Sequence, residues 1–65
     1  MIKIVGVEKI NDYSVLFLDN PPPASGWDTI IIGEEKYSPV LVYDIKETVA
    51  VKGFGFAEGQ IVRFE

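Results

Sequence analysis

Apolar side chains recur along this chain in short runs separated by turn-forming residues. The longest stretch begins at Tyr37 and holds two β-rich runs, residues 40–43 and 48–51, on either side of the polar step 44–47. Valine, isoleucine, threonine and tyrosine dominate it, and these stiff or aromatic side chains favour extended backbone. The pattern predicts a hairpin near the middle of an all-β domain.

Further strands are predicted on both sides of this hairpin. They cover residues 2–10, 13–18, 29–32 and 60–64. Asn11-Asp12 and the glycine-led segment 33–36 are typical of hairpin turns, whereas no stretch has sustained helical spacing. Gly6 indicates a bulge or a close approach, and Pro39 an edge or a strand entrance. Together these signals predict a five- or six-stranded antiparallel barrel or curled sheet, SH3-like or OB-like, with no substantial helix.

Length and composition restrict the chemistry. The 65 residues predict a single small β domain over the whole chain, and neither cysteine nor histidine is present. Zinc thiolates, disulfides and a histidine base are therefore excluded, and Ser14, Ser25 and Ser38 have no histidine to activate them. We expect a non-enzymatic protein without metal or cofactor.

The charge balance is acidic. The formal net charge is −4, and the six lysine and arginine residues are scattered singly. Such a surface repels phosphate backbones, which argues against nucleic acid as a partner. No signal peptide or membrane span is indicated, so a cytoplasmic location and no membrane contact are expected.

Several strands are apolar on both faces. If Val15 and Phe17 point into the domain, then Leu16 and Leu18 point outward, and no amphipathic helix is predicted that would cover them. This pattern favours an outer apolar face that contacts another protein or a second copy of the chain. The predicted interface consists of Leu16, Leu18, Ile31, Val40 and Val42, with Trp27 at its rim. The alternative is a sandwich in which the sheet folds over itself and loops cover the rest.

One short motif suggests a different class of function. The segment Lys52-Gly-Phe-Gly-Phe-Ala57 resembles the ribonucleoprotein octamer of RNA-recognition motifs and the Lys-Gly-Phe-Gly-Phe core of cold-shock domains. The resemblance implies that Phe54 and Phe56 stack on bases, with Lys52 near a phosphate. Gly59 replaces the final aromatic of the octamer, and the surrounding charge is acidic. In the competing interpretation, the glycines let the chain cross between two strands, and Phe54 or Phe56 packs in the core.

Trp27 follows the proline triplet 21–23. The prolines hold an extended path, and the indole is expected to cap one end of the barrel while its N–H makes a hydrogen bond. An aromatic binding patch with the tyrosines is the alternative. The sequence therefore predicts a protein-contact domain, single-stranded nucleic-acid binding being the competing function and an accessory role in a larger assembly a third.

Overall fold

The described part of the chain is built from strands. The computed structural model describes residues 1–41 and 47–65, which form β-strands and no helix, so no described segment is a helix that could cross a membrane. The strands are β1 Ile2–Ile10, β2 Tyr13–Leu18, β3 Ile30–Ile32, β4 Glu35–Tyr37, β5 Val40–Leu41, β6 Thr48–Lys52 and β7 Ile61–Phe64. Six strands have three or more residues, and β5 has two. The predicted all-β class is confirmed.

All strands belong to one antiparallel sheet that is curled but not closed. Its order is β4-β3-β7-β1-β2-β6-β5, and every neighbouring pair is antiparallel. The two edge strands, β4 and β5, follow one another in the chain and are joined by Ser38 and Pro39. The sheet therefore curls back toward its own edge, and Pro39, which lacks an amide donor, enters the edge strand as predicted.

The first strand belongs to both halves of the sheet. Ile2 and Lys3 pair with β7, whereas the rest of the strand pairs with β2 after a β-bulge between Ile4 and Gly6. A Cβ atom added to Gly6 would lie 3.6 Å from the Phe17 side chain, which packs across the glycine. Both predicted roles of Gly6 are thus confirmed, and the bulge bends the sheet about its middle. We name β4, β3, β7 and the start of β1 half A, and the rest of β1 with β2, β6 and β5 half B.

The concave side of the curl holds the core. Its fully packed members are Ile4, Leu16, Leu18, Ile30, Ile32, Val49, Val51 and Val62. They come from both halves, so burial of this one cluster fixes the halves against each other. Aromatic residues close the ends of the cluster, with the Trp27 and Phe64 rings 4.8 Å apart and the Tyr37 and Phe56 rings 5.2 Å apart, each pair edge to face.

Two tight turns set the registers of the hairpins. Asn11 has φ 54° between β1 and β2, and Gly33 has φ 65° between β3 and β4. In both turns the positive φ is at the first central position, as in a type II′ turn, which suits the twist of the flanking strands. Asn tolerates a positive φ better than most residues and Gly has no Cβ atom to oppose it, so the local chemistry and the observed pairing agree.

The predicted outward orientation of Leu16 and Leu18 is wrong. Their exposed fractions are 0% and 2%, and both belong to the core. The register explains the inversion, because Leu16 pairs with Val49 whereas Val15 pairs with Ala50. The other end of the central hairpin, residues 42–46, lies outside the described residues, although Val40 and Leu41 pair with β6 as predicted.

Candidate functional site

The convex side of half B is apolar over most of its width. Cross-strand pairing aligns Val40, Ala50 and Val15 in one row, and Glu8 of β1 ends that row. The side chains on this side, which we name face B, are Glu8, Ile10, Tyr13, Val15, Phe17, Val40, Thr48, Ala50 and Lys52. Most of them have no charge, so the register produces a second apolar surface on the side opposite to the core.

Exposure varies across face B. Val40 is 54% exposed, and Ile10 is 49% exposed at the end of β1. Tyr13 is exposed as well, whereas Val15 and Ala50 in the middle of the row are buried. The accessible apolar groups thus surround a buried centre. Such an arrangement offers side chains that a partner could cover without any rearrangement of the core.

The predicted interface residues are not brought together. Val40 lies on face B, but Leu16 and Leu18 are in the core and therefore cannot contact a partner. Ile31 is half-buried on the convex side of half A, where it pairs with Lys36 and Arg63. The remaining predicted residue, Val42, lies outside the described residues. An interface on the convex side of the sheet stays a prediction, but the residues that would form it differ from those predicted.

Sequence reasoning missed Ile10, Tyr13, Val15 and Ala50 as members of the convex surface. A usable signal was present in β6. Val49 and Val51 lie on one side of this strand, and Thr48, Ala50 and Lys52 lie on the other. That alternation identifies the inner side of β6, and antiparallel pairing carries the assignment to β2.

Trp27 closes one end of the curl. Its indole Nε1–H donates a 2.7 Å hydrogen bond to the Pro23 carbonyl, and its ring packs against Phe64. The backbone N–H groups of Asp28 and Thr29 both donate to the Glu65 carbonyl, which ties the end of the proline loop to the residue after β7. The expected capping role with a satisfied indole is confirmed, and Trp27 does not border face B.

The Lys52–Phe56 segment separates its two aromatic rings. Phe56 packs against Tyr37 and the core, whereas Phe54 is 53% exposed. The Lys9 ammonium lies 5.5 Å from the centre of the Phe54 ring, within the range of a cation–π contact. One ring therefore serves packing, as the competing interpretation predicted, and the other is presented to solvent beside a cation.

The base of this segment is fixed by hydrogen bonds. The buried Ser14 hydroxyl donates to the Gly53 carbonyl at 2.6 Å, and the Gly53 N–H donates to the Asp12 carbonyl at 2.8 Å. Gly53 has φ 109°, a conformation that few other residues adopt. Phe54 thus projects from a well-defined turn, which reduces the ordering entropy that binding through this ring would cost.

Asp19 fastens the far end of the β1–β2 pair. The Lys3 N–H donates to Asp19 Oδ1 at 2.9 Å, and the Asp19 N–H donates to the Lys3 carbonyl at 3.0 Å. The hydrogen bond from the Lys3 backbone lowers the pKa of the Asp19 carboxyl, and a further bond from Asn20 acts in the same direction. This carboxylate therefore has a structural role at the strand end.

Carboxylates elsewhere in the described part of the chain do not converge. Residues 1–41 and 47–65 contain no group of three acidic side chains placed to hold a metal ion. In comparisons with known proteins, no family model, no curated protein and no solved structure matches the chain. Function must therefore be inferred from the surfaces themselves.

Proposed function

We propose that this protein is a non-enzymatic domain that acts through protein–protein contact, and that face B binds a second copy of the chain. The observation that supports the proposal most directly is that Val40, Ile10 and Tyr13 are exposed apolar side chains on the convex side of the sheet, the side opposite to the core. A second apolar side on one sheet is typical of a surface that is covered by another protein.

The edges of the sheet favour contact through a face over contact through added strands. β4 has three residues, so it presents few free backbone groups to another strand. Lys36 lies in this edge strand, and Pro39 precedes the other edge strand. A short edge with a lysine and a proline at the start of an edge strand both discourage strand addition. We therefore assign the contact to side chains of face B.

Replacing Val40 by glutamate tests this assignment. In the proposed contact the carboxylate would be buried against an apolar partner, so we expect self-association to weaken at least tenfold, about 1.4 kcal/mol in free energy. Sedimentation velocity over a range of protein concentrations gives the dissociation constants. Because Val40 is exposed in the single chain, circular dichroism should retain its β-type spectrum.

The matched control is Val5→Glu. Val5 is 51% exposed, close to the value for Val40, but it lies in the bulge and outside face B. It should leave self-association unchanged. Equal weakening by both variants, or a wild-type chain that stays monomeric at every concentration, would contradict the proposed contact.

Single-stranded nucleic-acid binding is the second candidate, and the contact between Lys9 and Phe54 favours it. An exposed ring beside a cation can stack on a base while the ammonium meets a phosphate, and such stacking contributes about 1–3 kcal/mol per base. Lys52 is exposed and lies two residues before Phe54 in the chain. Phe56 plays no part in this version, because its ring packs on Tyr37.

Fluorescence anisotropy with labelled single-stranded oligonucleotides at low salt tests the second candidate. If the chain binds, Phe54→Ala and Lys9→Ala should each weaken binding about tenfold or more, since stacking on one base is worth about 1–3 kcal/mol. Lys36→Ala removes the same charge at a distant strand and should have little effect. Equal losses for both lysine variants would indicate attraction without a defined site, and absence of binding would eliminate the candidate.

A further inference from the structure

Face B carries one charge of each sign among its described residues. Of the nine side chains named on it, Glu8 is the one acid and Lys52 is the one base, and both are exposed. The one ion pair within residues 1–41 and 47–65 joins Lys36 to Glu65, so neither Glu8 nor Lys52 is paired inside that part of the chain. Each of them therefore remains available to an opposite charge on a partner.

Strand pairing fixes where the two charges lie on face B. Glu8 is on β1 in the row of Val15, whereas Lys52 is on β6 in the row of Tyr13, one row closer to the β1–β2 turn. Neighbouring strands lie about 4.8 Å apart and alternate residues of one strand about 7 Å apart, so the two Cα atoms are separated by about 12 Å. Their midpoint lies on β2, between Tyr13 and Val15.

We infer that face B packs on face B of a second copy about a twofold axis, with Glu8 of each copy against Lys52 of the other. The inference rests on the proposed function and adds the symmetry and the register of the contact. Two copies that face each other are exchanged by an axis lying between the faces. When this axis crosses the midpoint at right angles to the line from Glu8 to Lys52, it brings each residue over the other. One operation therefore forms two ion pairs.

The same axis brings the apolar side chains of the two copies together. With the strand and row spacings given above, Val40 comes over Phe17 of the second copy, and Ile10 comes beside Tyr13 of the second copy. Val40, Ile10 and Tyr13 are exposed in the single chain, so the contact covers all three. Charge and apolar surface thus favour the same register, which supports a copy of this chain over an unrelated partner.

The proposed contact is small. Nine residues of each copy take part, whereas a standard protein–protein interface has about 20–30 residues on each side. We therefore expect a weak dimer, so protein concentrations in the experiment should extend into the millimolar range. Because both copies use the same surface, association stops at two chains.

Charge reversal tests the register. Glu8→Lys brings two lysines together at each of the two symmetric contacts, and Lys52→Glu brings two glutamates together. Each variant alone should weaken self-association by about tenfold or more in sedimentation velocity. An equimolar mixture of the two variants should recover association, because residue 8 of either variant then meets an opposite charge at residue 52 of the other. For the same reason, the chain that carries both substitutions should associate as the wild type does.

The sign of the effect of Glu8→Lys separates a defined contact from general repulsion. The chain has a net charge of −4, so an added positive charge lowers the repulsion between copies and by itself would strengthen association. The matched control is Glu34→Lys, which makes the same change of charge in the β3–β4 turn, away from face B, and should not weaken association. Raised salt should reduce the difference between Glu8→Lys and the wild type.

The possible outcomes separate this register from the proposed function. If Val40→Glu weakens association but both charge variants associate as the wild type does, the proposed function stands and the twofold register is overturned. The register is overturned in the same way if the mixture of the two charge variants recovers nothing, or if the wild type forms species larger than two chains. A wild-type chain that stays monomeric into the millimolar range overturns both proposals.

A folding control accompanies each variant. Glu8 and Lys52 are exposed, so circular dichroism and thermal unfolding should match the wild type. If Lys52→Glu were unfolded, Lys52→Ala would replace it. Mixed with Glu8→Lys, it leaves one attractive pair in each mixed dimer, which should be tighter than the dimer of either variant alone. A mixed dimer no tighter than these would overturn the register.

Discussion

Replacing Leu16 by alanine should lower the free energy of unfolding by about 2–5 kcal/mol. Leu16 has no exposed surface and belongs to the core cluster, to which both halves of the sheet contribute. A chain of 65 residues has a total stability of roughly 3–10 kcal/mol, so this single truncation removes a large share of it. Urea denaturation followed by circular dichroism measures the loss.

The comparison variant is Val40→Ala. It also shortens an apolar side chain in a strand, but Val40 is 54% exposed. Surface substitutions of this kind usually change stability by no more than about 0.5 kcal/mol. The comparison is made at protein concentrations at which the chain is monomeric, so that association does not add to stability. A loss at Leu16 as small as that at Val40 would show that Leu16 is exposed and that β2 is oriented the other way round.

Trp27→Ala is the second substitution with a large expected effect. Burial of a whole indole is worth about 3–5 kcal/mol, and because Trp27 is half-buried we expect a loss of about 2–3 kcal/mol. The ring covers the end of the core beside Phe64, and its N–H holds the Pro23 carbonyl. Without it, the proline loop loses its attachment at Pro23, although the backbone hydrogen bonds of Asp28 and Thr29 to Glu65 remain. Chemical denaturation followed by circular dichroism is suitable, since the variant has no tryptophan fluorescence.

Trp27→Phe separates the loss of stability that comes from ring packing from the loss that comes from the indole hydrogen bond. Phenylalanine keeps an aromatic ring against Phe64 but has no N–H, so it should lose about 0.5–1.5 kcal/mol for the hydrogen bond, with a small further loss of packing. If Trp27→Phe were as damaging as Trp27→Ala, the hydrogen bond to Pro23 would dominate, and the packing account would be wrong.

Strand positions could be predicted because several local signals agreed. The turn chemistry of Asn11-Asp12 and Gly33 fixed the hairpins, and β2 begins and ends at the predicted residues. The bulge expected at Gly6 is present because the glycine lets the Phe17 ring lie across the backbone. Where strand propensity, turn type and residue spacing agree, a single sequence is enough to predict where the strands lie.

Orientation of β2 could not be predicted from β2 alone. A strand that is apolar on both sides gives no indication of which side is buried, and a serine such as Ser14 is more often exposed than buried. In the structure Ser14 is buried, because its hydroxyl satisfies the Gly53 carbonyl. That partner is 39 residues away in the chain, so no local pattern could reveal it. The candidate surface was consequently assigned to the wrong pair of leucines.

The motif likewise could not predict that the Phe54 and Phe56 rings lie in different environments. Alternating glycines let the chain turn between the two rings, so neighbouring aromatics reach different environments. Only the positions of Tyr37 and Lys9, which come from two other strands, decide which ring packs and which is presented. Short motifs specify backbone freedom more reliably than they specify the direction of a side chain.

The place of β7 between β3 and β1 has a consequence for synthesis on the ribosome. Half B can pair as soon as β6 has emerged, because β7 takes no part in it. The β3–β4 hairpin emerges early as well, but it reaches the rest of the sheet only through β7. The apolar concave side of half B therefore stays exposed until residues 61–64 leave the exit tunnel. During that interval the nascent chain presents the kind of apolar surface that chaperones bind.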